Sequence, residues 1–350
     1  MLTRPSHRPA QRASLLTEHR AIELLQREFT RHSGDVPSDR RVVVGIGDDA
    51  AVLDLGAART GRRSGFQHVW SIDCSTEGVH FDLSWLTLAQ AAARAFEAAL
   101  SDVAAMGALP VAAVCNLQVP RGATAEQIRQ VGRGQARRSL AQRCPIVGGN
   151  LSSGDRWQFT TSVLGAAKRP LLRGGALVGD ELWLCGAVGE AGAGLSLLQR
   201  GSIEVTRSPT LHRAMRRCIS AWRSPIARIA FGRELVGRAH AAIDVSDGLA
   251  SEAEHLANSA QLRIVLHADA LRGSSAAVRR VAAELELEPL HLLLNGGEDY
   301  ALLAAGPTRA RPKFARVVGR VEAGSGVVLE DATTQRALRG GFDHFTRTKR

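Results

Sequence analysis

The chain has 350 residues, 45% of them hydrophobic, and a formal net charge of +11. That length exceeds one typical core and fits two domains; the excess charge is scattered arginine, with lysine only at Lys168, Lys313 and Lys349 and a single tyrosine, so no basic stripe with stacking aromatics marks a nucleic-acid binder. No apolar run is long enough to cross a bilayer, residues 1–14 lack the apolar centre of a secretory signal, and the five cysteines are dispersed without C-x-x-C spacing, which predicts a cytoplasmic protein with no membrane partner, disulfide framework or zinc site.

Residues 1–16 mix Pro, Arg and Ser without periodicity and predict a disordered extension. An amphipathic helix follows, with Ile22, Leu25 and Phe29 on one face, and then a polar linker over 31–40. Val42-Val43-Val44 predicts a strand that runs into the turn Gly45-Ile46-Gly47-Asp48-Asp49-Ala50, and a second strand is expected to end at Asp73. From Thr87 to Met106 the positions Leu88, Ala92, Ala95, Ala99 and Val103 recur at helical spacing; this helix carries Asp102 and is stopped by Gly107. A strand over Val111–Val119, a helix over Thr124–Arg143, the run Ile146-Val147 into Gly148-Gly149-Asn150 and a strand over Trp157–Gly165 complete the first half. Turn-forming residues over 167–179 mark a boundary. Beyond it come a strand Glu181–Cys185, a helix Gly189–Gln199, helices around Met215 and Ile229, and a strand Ala241–Asp244 that delivers Asp247 as N-cap of a helix bearing Leu249, Ala253 and Leu256. The pattern is an α/β chain in two halves.

Its chemistry lies in acidic residues at strand ends: Asp48 and Asp49 in the glycine turn, Asp73, the pair Asp244 and Asp247, and Glu298-Asp299 after Gly296-Gly297. Repeated carboxylates suit several hard cations holding one polyanion. The first turn also fits G-x-G-x-x-A, but a dinucleotide pyrophosphate would then face two carboxylates. No G-x-x-x-x-G-K-[ST] is present, and no lysine follows a glycine-rich loop, which excludes the P-loop and protein-kinase designs.

The segments GIGDDAAVL (45–53), SID (71–73) with EGVHF (77–81), SDVAAMGALP (101–110), VGG (147–149), RGGALVGDELWLCG (173–186), WRSPIARI (222–229), IDVSDGL (243–249), GGEDYALL (296–303) and GFDHF (341–345) resemble the thiamine-monophosphate kinases, of the aminoimidazole-ribotide-synthetase-like superfamily, from about residue 17 to 345. The resemblance implies an α/β fold of two domains: a PurM-like N-terminal domain over 17–167 that binds ATP and magnesium and forms a homodimer through its sheet, then a PurM C-terminal-like domain over 168–350. It implies transfer of the γ-phosphoryl group of ATP to thiamine monophosphate with several Mg²⁺ ions. Asp49, Ser71, Asp73, Asp102, Asn150, Asp244 and Asp247 would hold the metal, with Asp49, Asp73, Asp102 and Asp244 central to catalysis. Gly149, Asn150, Arg173 and Ser246 would contact ATP, and His80, Glu298 and Phe342 the thiamine substrate.

Three positions depart from the family pattern. Asn150 stands where the family has a metal-binding Asp, Ile72 where Thr is common, and Phe342 where an aromatic with a hydroxyl is usual. The competing reading is a non-catalytic nucleotide-binding homologue that lost turnover through Asn150. Among enzymes of the superfamily, selenophosphate synthetase would show a reactive Cys and a Lys near the first glycine-rich segment, yet no Cys precedes Cys74 and no Lys precedes Lys168; the hydrogenase-maturation relative ends in a cysteine, and none follows Cys218 here.

Overall fold

The computed structural model describes residues 18–32, 41–56, 65–201 and 208–338. The expected extension over 1–16 and Phe342 lie outside the described residues. The helix α1 (Glu18–His32) forms where a helix was predicted and belongs to a unit of its own. Arg40–Gly341 form the other unit.

Two sheets organise that larger unit. The first holds β1 (Val42–Val44), β2 (Ala51–Leu53), β3 (Gln67–Thr76), β4 (Leu109–Pro120), β5 (Ile146–Gly154) and β6 (Gln158–Ala167) in the order β1-β2-β3-β6-β4-β5. The second holds β7 (Glu181–Cys185), β8 (Ala241–Val245), β9 (Arg263–His267), β10 (Ala301–Gly306), β11 (Arg316–Glu322), β12 (Gly326–Glu330) and β13 (Gln335–Leu338) in the order β13-β12-β9-β11-β7-β10-β8. Pairing is antiparallel except between β4 and β5 and between β9 and β12. Along β6 every second residue is buried, the period-2 signature of a sheet with one covered face.

The cover is α2 (Leu88–Ala105). Its start is encoded locally: Thr87 accepts from the Gln90 amide at 3.2 Å while the Gln90 side chain accepts from the Thr87 amide at 2.9 Å. The same reciprocal pair, Thr124 and Gln127, opens α3 (Ala125–Gln142), which packs on α2. α2 touches β3 and β6 on one side, and β8 and the short helix α6 (Ile229–Leu235) on the other. Hence it is buried round its circumference, with Phe96, Ala99, Leu100 and Val103 fully enclosed. Phe96 alone contributes about 1.5–3 kcal/mol of burial free energy. Among the described residues two apolar clusters draw side chains from both sheets: Val69, Phe96 and Val163 pack with Trp183, Ala242 and Leu302 in one, and Phe159 with Leu182 and Ile243 in the other.

Two local expectations need correction. β3 does not end at Asp73 but runs on to Thr76, because its pairing with β6 continues through Asp73–Thr161 to Thr76–Gln158. Asp247 is not the N-cap of α7 (Leu249–Ala260); Gly248 holds that place at φ 110 with no side-chain cap bond. Glu252, inside the first turn, instead accepts from the Asp247 amide at 3.1 Å. Among the described residues no helix is long and apolar enough to cross a membrane.

Candidate active site

Asp49, Asp102 and Asp244 come from a turn, a helix and a strand of different regions, yet each offers a carboxylate oxygen within 4.8 Å of the others. The Asp49 side chain has no exposure; its Oδ1 accepts from Arg173 at 2.5 and 3.2 Å, and its Oδ2 has no hydrogen-bond partner among the described residues. Asp48 shapes the turn, with one oxygen on the Asp49 amide at 2.9 Å and the other on the Arg173 amide at 3.1 Å. On α2, Asp102 accepts from the Ser71 hydroxyl of β3. Asp244 lies near the end of β8.

Burial is the chief force on these acids. It raises Asp49 to about 7 against the opposing charge of Arg173, lifts Asp244 to about 6, and pushes Asp102 well above the carboxylate range with the help of Asp244 and Asp49. Asp73 and Asp247 stand close enough to add to the negative potential at Asp244. Glu252, which the sequence did not single out, joins the group: burial first, then Asp244 and Asp247, raise it well above its ordinary value. It also accepts from Ser246 Oγ at 3.4 Å. Its only trace in the sequence is a carboxylate five residues past Asp247, which no motif distinguishes. Crowded, dehydrated carboxylates with an unpartnered oxygen fit a hard divalent cation, which would replace the protons they otherwise keep.

Gly149 and Asn150 lie elsewhere in the sheet. A Cβ at Gly149 would sit 1.9 Å from the Cys115 carbonyl oxygen, so the β4–β5 pairing alone demands glycine there. The Asn150 amide donates to Asn116 Oδ1 at 2.9 Å, and the register Asn150–Asn116–Thr160–Cys74 puts it on the face opposite Ser71 and Asp73. Three strand spacings, about 14 Å, separate it from β3. Within one chain Asn150 is therefore not brought to the carboxylates, because its strand is the far edge of the sheet.

A second constellation surrounds Glu298. Gly297, Glu298 and Tyr300 take φ of 66, 57 and 48, a left-handed path that glycine adopts freely and the other two only under constraint. The constraint is visible: the Glu298 amide donates to Ser246 O at 2.5 Å, that of Tyr300 to Val245 O at 2.9 Å, and Asp299 accepts from the Gly189 and Ala191 amides at 2.6 and 2.9 Å. Asp299 is thus a cap for α4 (Glu190–Arg200), not part of the acidic cluster. Glu298 Oε1 pairs with Arg94 of α2, and Oε2 accepts from Trp222 Nε1 at 2.8 Å. Trp222 closes α5 (Pro209–Arg223) and stands edge-on to Trp85 at 6.0 Å. His80 Nδ1 accepts from the Thr76 amide at 3.0 Å, so the neutral ring carries its proton on Nε2.

Known proteins share this fold. Residues 47–167 match the family described as AIR synthase related protein, N-terminal domain. The solved complex of AaThiL with AMPPCP and TMP superposes with a TM-score of 0.80 at 26% identity, over 96% of this chain and 100% of that one. The thiamine-monophosphate kinase of Stenotrophomonas maltophilia gives 0.68 at 27% identity, over 88% and 95%. By sequence, the thiamine-monophosphate kinase of Aquifex aeolicus is 29% identical over 86% of this chain and 92% of its own length. That of Mycobacterium tuberculosis is 32% identical over 83% of this chain and 82% of its own, and with that extent of likeness the chain belongs to the thiamine-monophosphate kinase family.

Proposed function

We propose that the chain transfers the γ-phosphoryl group of ATP to the phosphate of thiamine monophosphate, giving thiamine diphosphate and ADP. The observation that carries this reading is the convergence of Asp49, Asp102 and Asp244 beside Arg173, in a chain whose similar solved relative holds AMPPCP and TMP. A phosphate monoester has its second pKa at about 6, so the attacking oxygen is already largely ionised at neutral pH and needs no general base. The remaining task is to bring two polyanions together in line. Arg173 supplies fixed positive charge for the nucleotide, while Ser246 and the adjoining Glu298 loop join the nucleotide side to the acceptor side through the Ser246 carbonyl. Asp49, Asp102 and Asp244, with Asp73, Ser71 and Asp247 around them, would hold magnesium. Bound there, the ions would neutralise phosphate charge and polarise the transferring group. His80 and Glu298 face the thiamine moiety on this reading.

The halves 17–167 and 168–350 then serve as an ATP- and magnesium-binding, pairing half and a C-terminal half. The uncovered face of the first sheet supports the pairing: Trp70, Ile72 and Val114 are 55%, 68% and 45% exposed on it. Asn150 shares that face, so a role for it at ATP or metal requires the second subunit. The deciding assay mixes protein, ATP, Mg²⁺ and thiamine monophosphate. Thiamine diphosphate forming in step with ADP, and ceasing with EDTA, is the expected result; ADP without thiamine diphosphate, or neither, overturns the reading.

A further inference from the structure

Arg94 is a cation with 4% exposure in the middle of a helix, a placement that costs free energy unless each part of the guanidinium is engaged. It is engaged three ways. One terminal nitrogen pairs with Glu298 Oε1, the other donates to the Trp222 carbonyl oxygen, and the guanidinium carbon lies 4.6 Å from the centre of the Trp222 ring. Trp222 closes the loop by donating its indole N–H to the other oxygen of Glu298. Glu298 Oε2 so has one donor fixed, Oε1 lies against the Arg94 cation as an ion pair, and both keep further acceptor capacity. Arg94 also stands eight residues before Asp102 on α2, a rise of about 12 Å along one rigid helix.

We propose that Arg94 is a positioning residue of the acceptor subsite: it fixes Glu298, through Trp222 and α2, at a set distance from the phosphoryl-transfer centre. The inference rests on the phosphotransfer reading above. Thiamine monophosphate is elongated, with its phosphate at one end and an aminopyrimidine, whose amino group is an N–H donor, at the other. A helix that carries Asp102 near one end and holds Glu298 through Arg94 two turns earlier measures that length. Because the charge of Glu298 is already matched by Arg94, the carboxylate acts as an oriented acceptor for a donor group and not as a bare counter-ion for the thiazolium. The strained backbone at Glu298 fits the same purpose, since it aims the side chain at Arg94 from a loop bound to β8.

The test is steady-state kinetics on the full chain. Arg94→Met is expected to raise KM for thiamine monophosphate about tenfold or more while KM for ATP stays within about twofold. Arg94→Lys, which keeps the charge without the planar fork, should recover part of the loss. Trp222→Phe keeps the ring under the guanidinium and removes the indole donor, so it should raise the same KM a few-fold, and it decides the matter if Arg94→Met does not fold. Equal rises in both KM values, or an unchanged KM for thiamine monophosphate, overturn the positioning role. If the wild-type protein makes no thiamine diphosphate, the functional reading fails by itself; calorimetric binding of thiamine monophosphate to the same variants then tests Arg94, and unaltered affinity rejects it.

Discussion

Asp49 shows how one side chain here trades stability for a site. Folding strips its water and, among the described residues, gives back Arg173 on one oxygen and no partner on the other. Asp49→Asn keeps the shape and removes the anion, so turnover is expected to fall by about a hundredfold or more, the scale of losing one preorganised electrostatic contact, with the fold retained by circular dichroism. The pH dependence follows with a definite sign. The folded-state pKa values of Asp49 and Asp244, about 7 and about 6, exceed their ordinary 3.8, so the folded protein binds protons the unfolded chain has released. Their contribution is fully present below about pH 4 and is lost as the pH rises through 6 to 7. Metal-free protein is therefore expected to melt at a lower temperature at pH 8 than at pH 5.5, and saturating Mg²⁺ to shrink that difference; a flat profile in EDTA counts against buried, crowded acids. Glu330, held down to about 2 by Arg320, changes charge outside this window.

Among the elements, α2 carries both Arg94 and Asp102, and its start rests on Thr87. Thr87→Ala removes one half of the capping box and is expected to cost about 1 kcal/mol in urea unfolding, with kcat near normal at 25 °C because the turns bearing Arg94 and Asp102 are clamped by both sheets. This helix was legible from the sequence to within a residue, since its apolar spacing and its cap are both local signals. α3 was equally legible for the same reason. Asp73 was misplaced at a strand end because strand length is set by the partner β6, which lies some ninety residues away. The Asp247 cap failed because Gly248 stands at the N-cap, while the amide of Asp247 itself is bound by Glu252, four residues into α7. Motifs named most of the carboxylates that meet, whereas Arg94 carries no motif. Its value appears only when α2, α5 and the loop after α10 (Pro289–Asn295) converge.

At the scale of the molecule, the uncovered sheet face gives the pairing prediction. The wild-type chain is expected to sediment as a dimer at micromolar concentration and Val114→Glu as a monomer, because a charge placed in that apolar face is not tolerated across an interface. Asn150→Asp should lower the half-saturating Mg²⁺ concentration in the dimer, where the face meets a second subunit, and leave magnesium binding unchanged in the Val114→Glu background. A drop in both would put residue 150 at the ion of its own chain, against its register in β5.

The placement of α2 between the two sheets has a last consequence, for how such a protein can be taken apart. Because Phe96, Leu100 and Val103 pack in one cluster with Trp183, Ala242 and Leu302, a cut after residue 167 would not yield two modules. The first fragment would keep the helix with one side bare, and the second a sheet with no lid. Recombination within the family is therefore confined to exchanging the two halves as a matched set, or to segments that leave this shared layer intact.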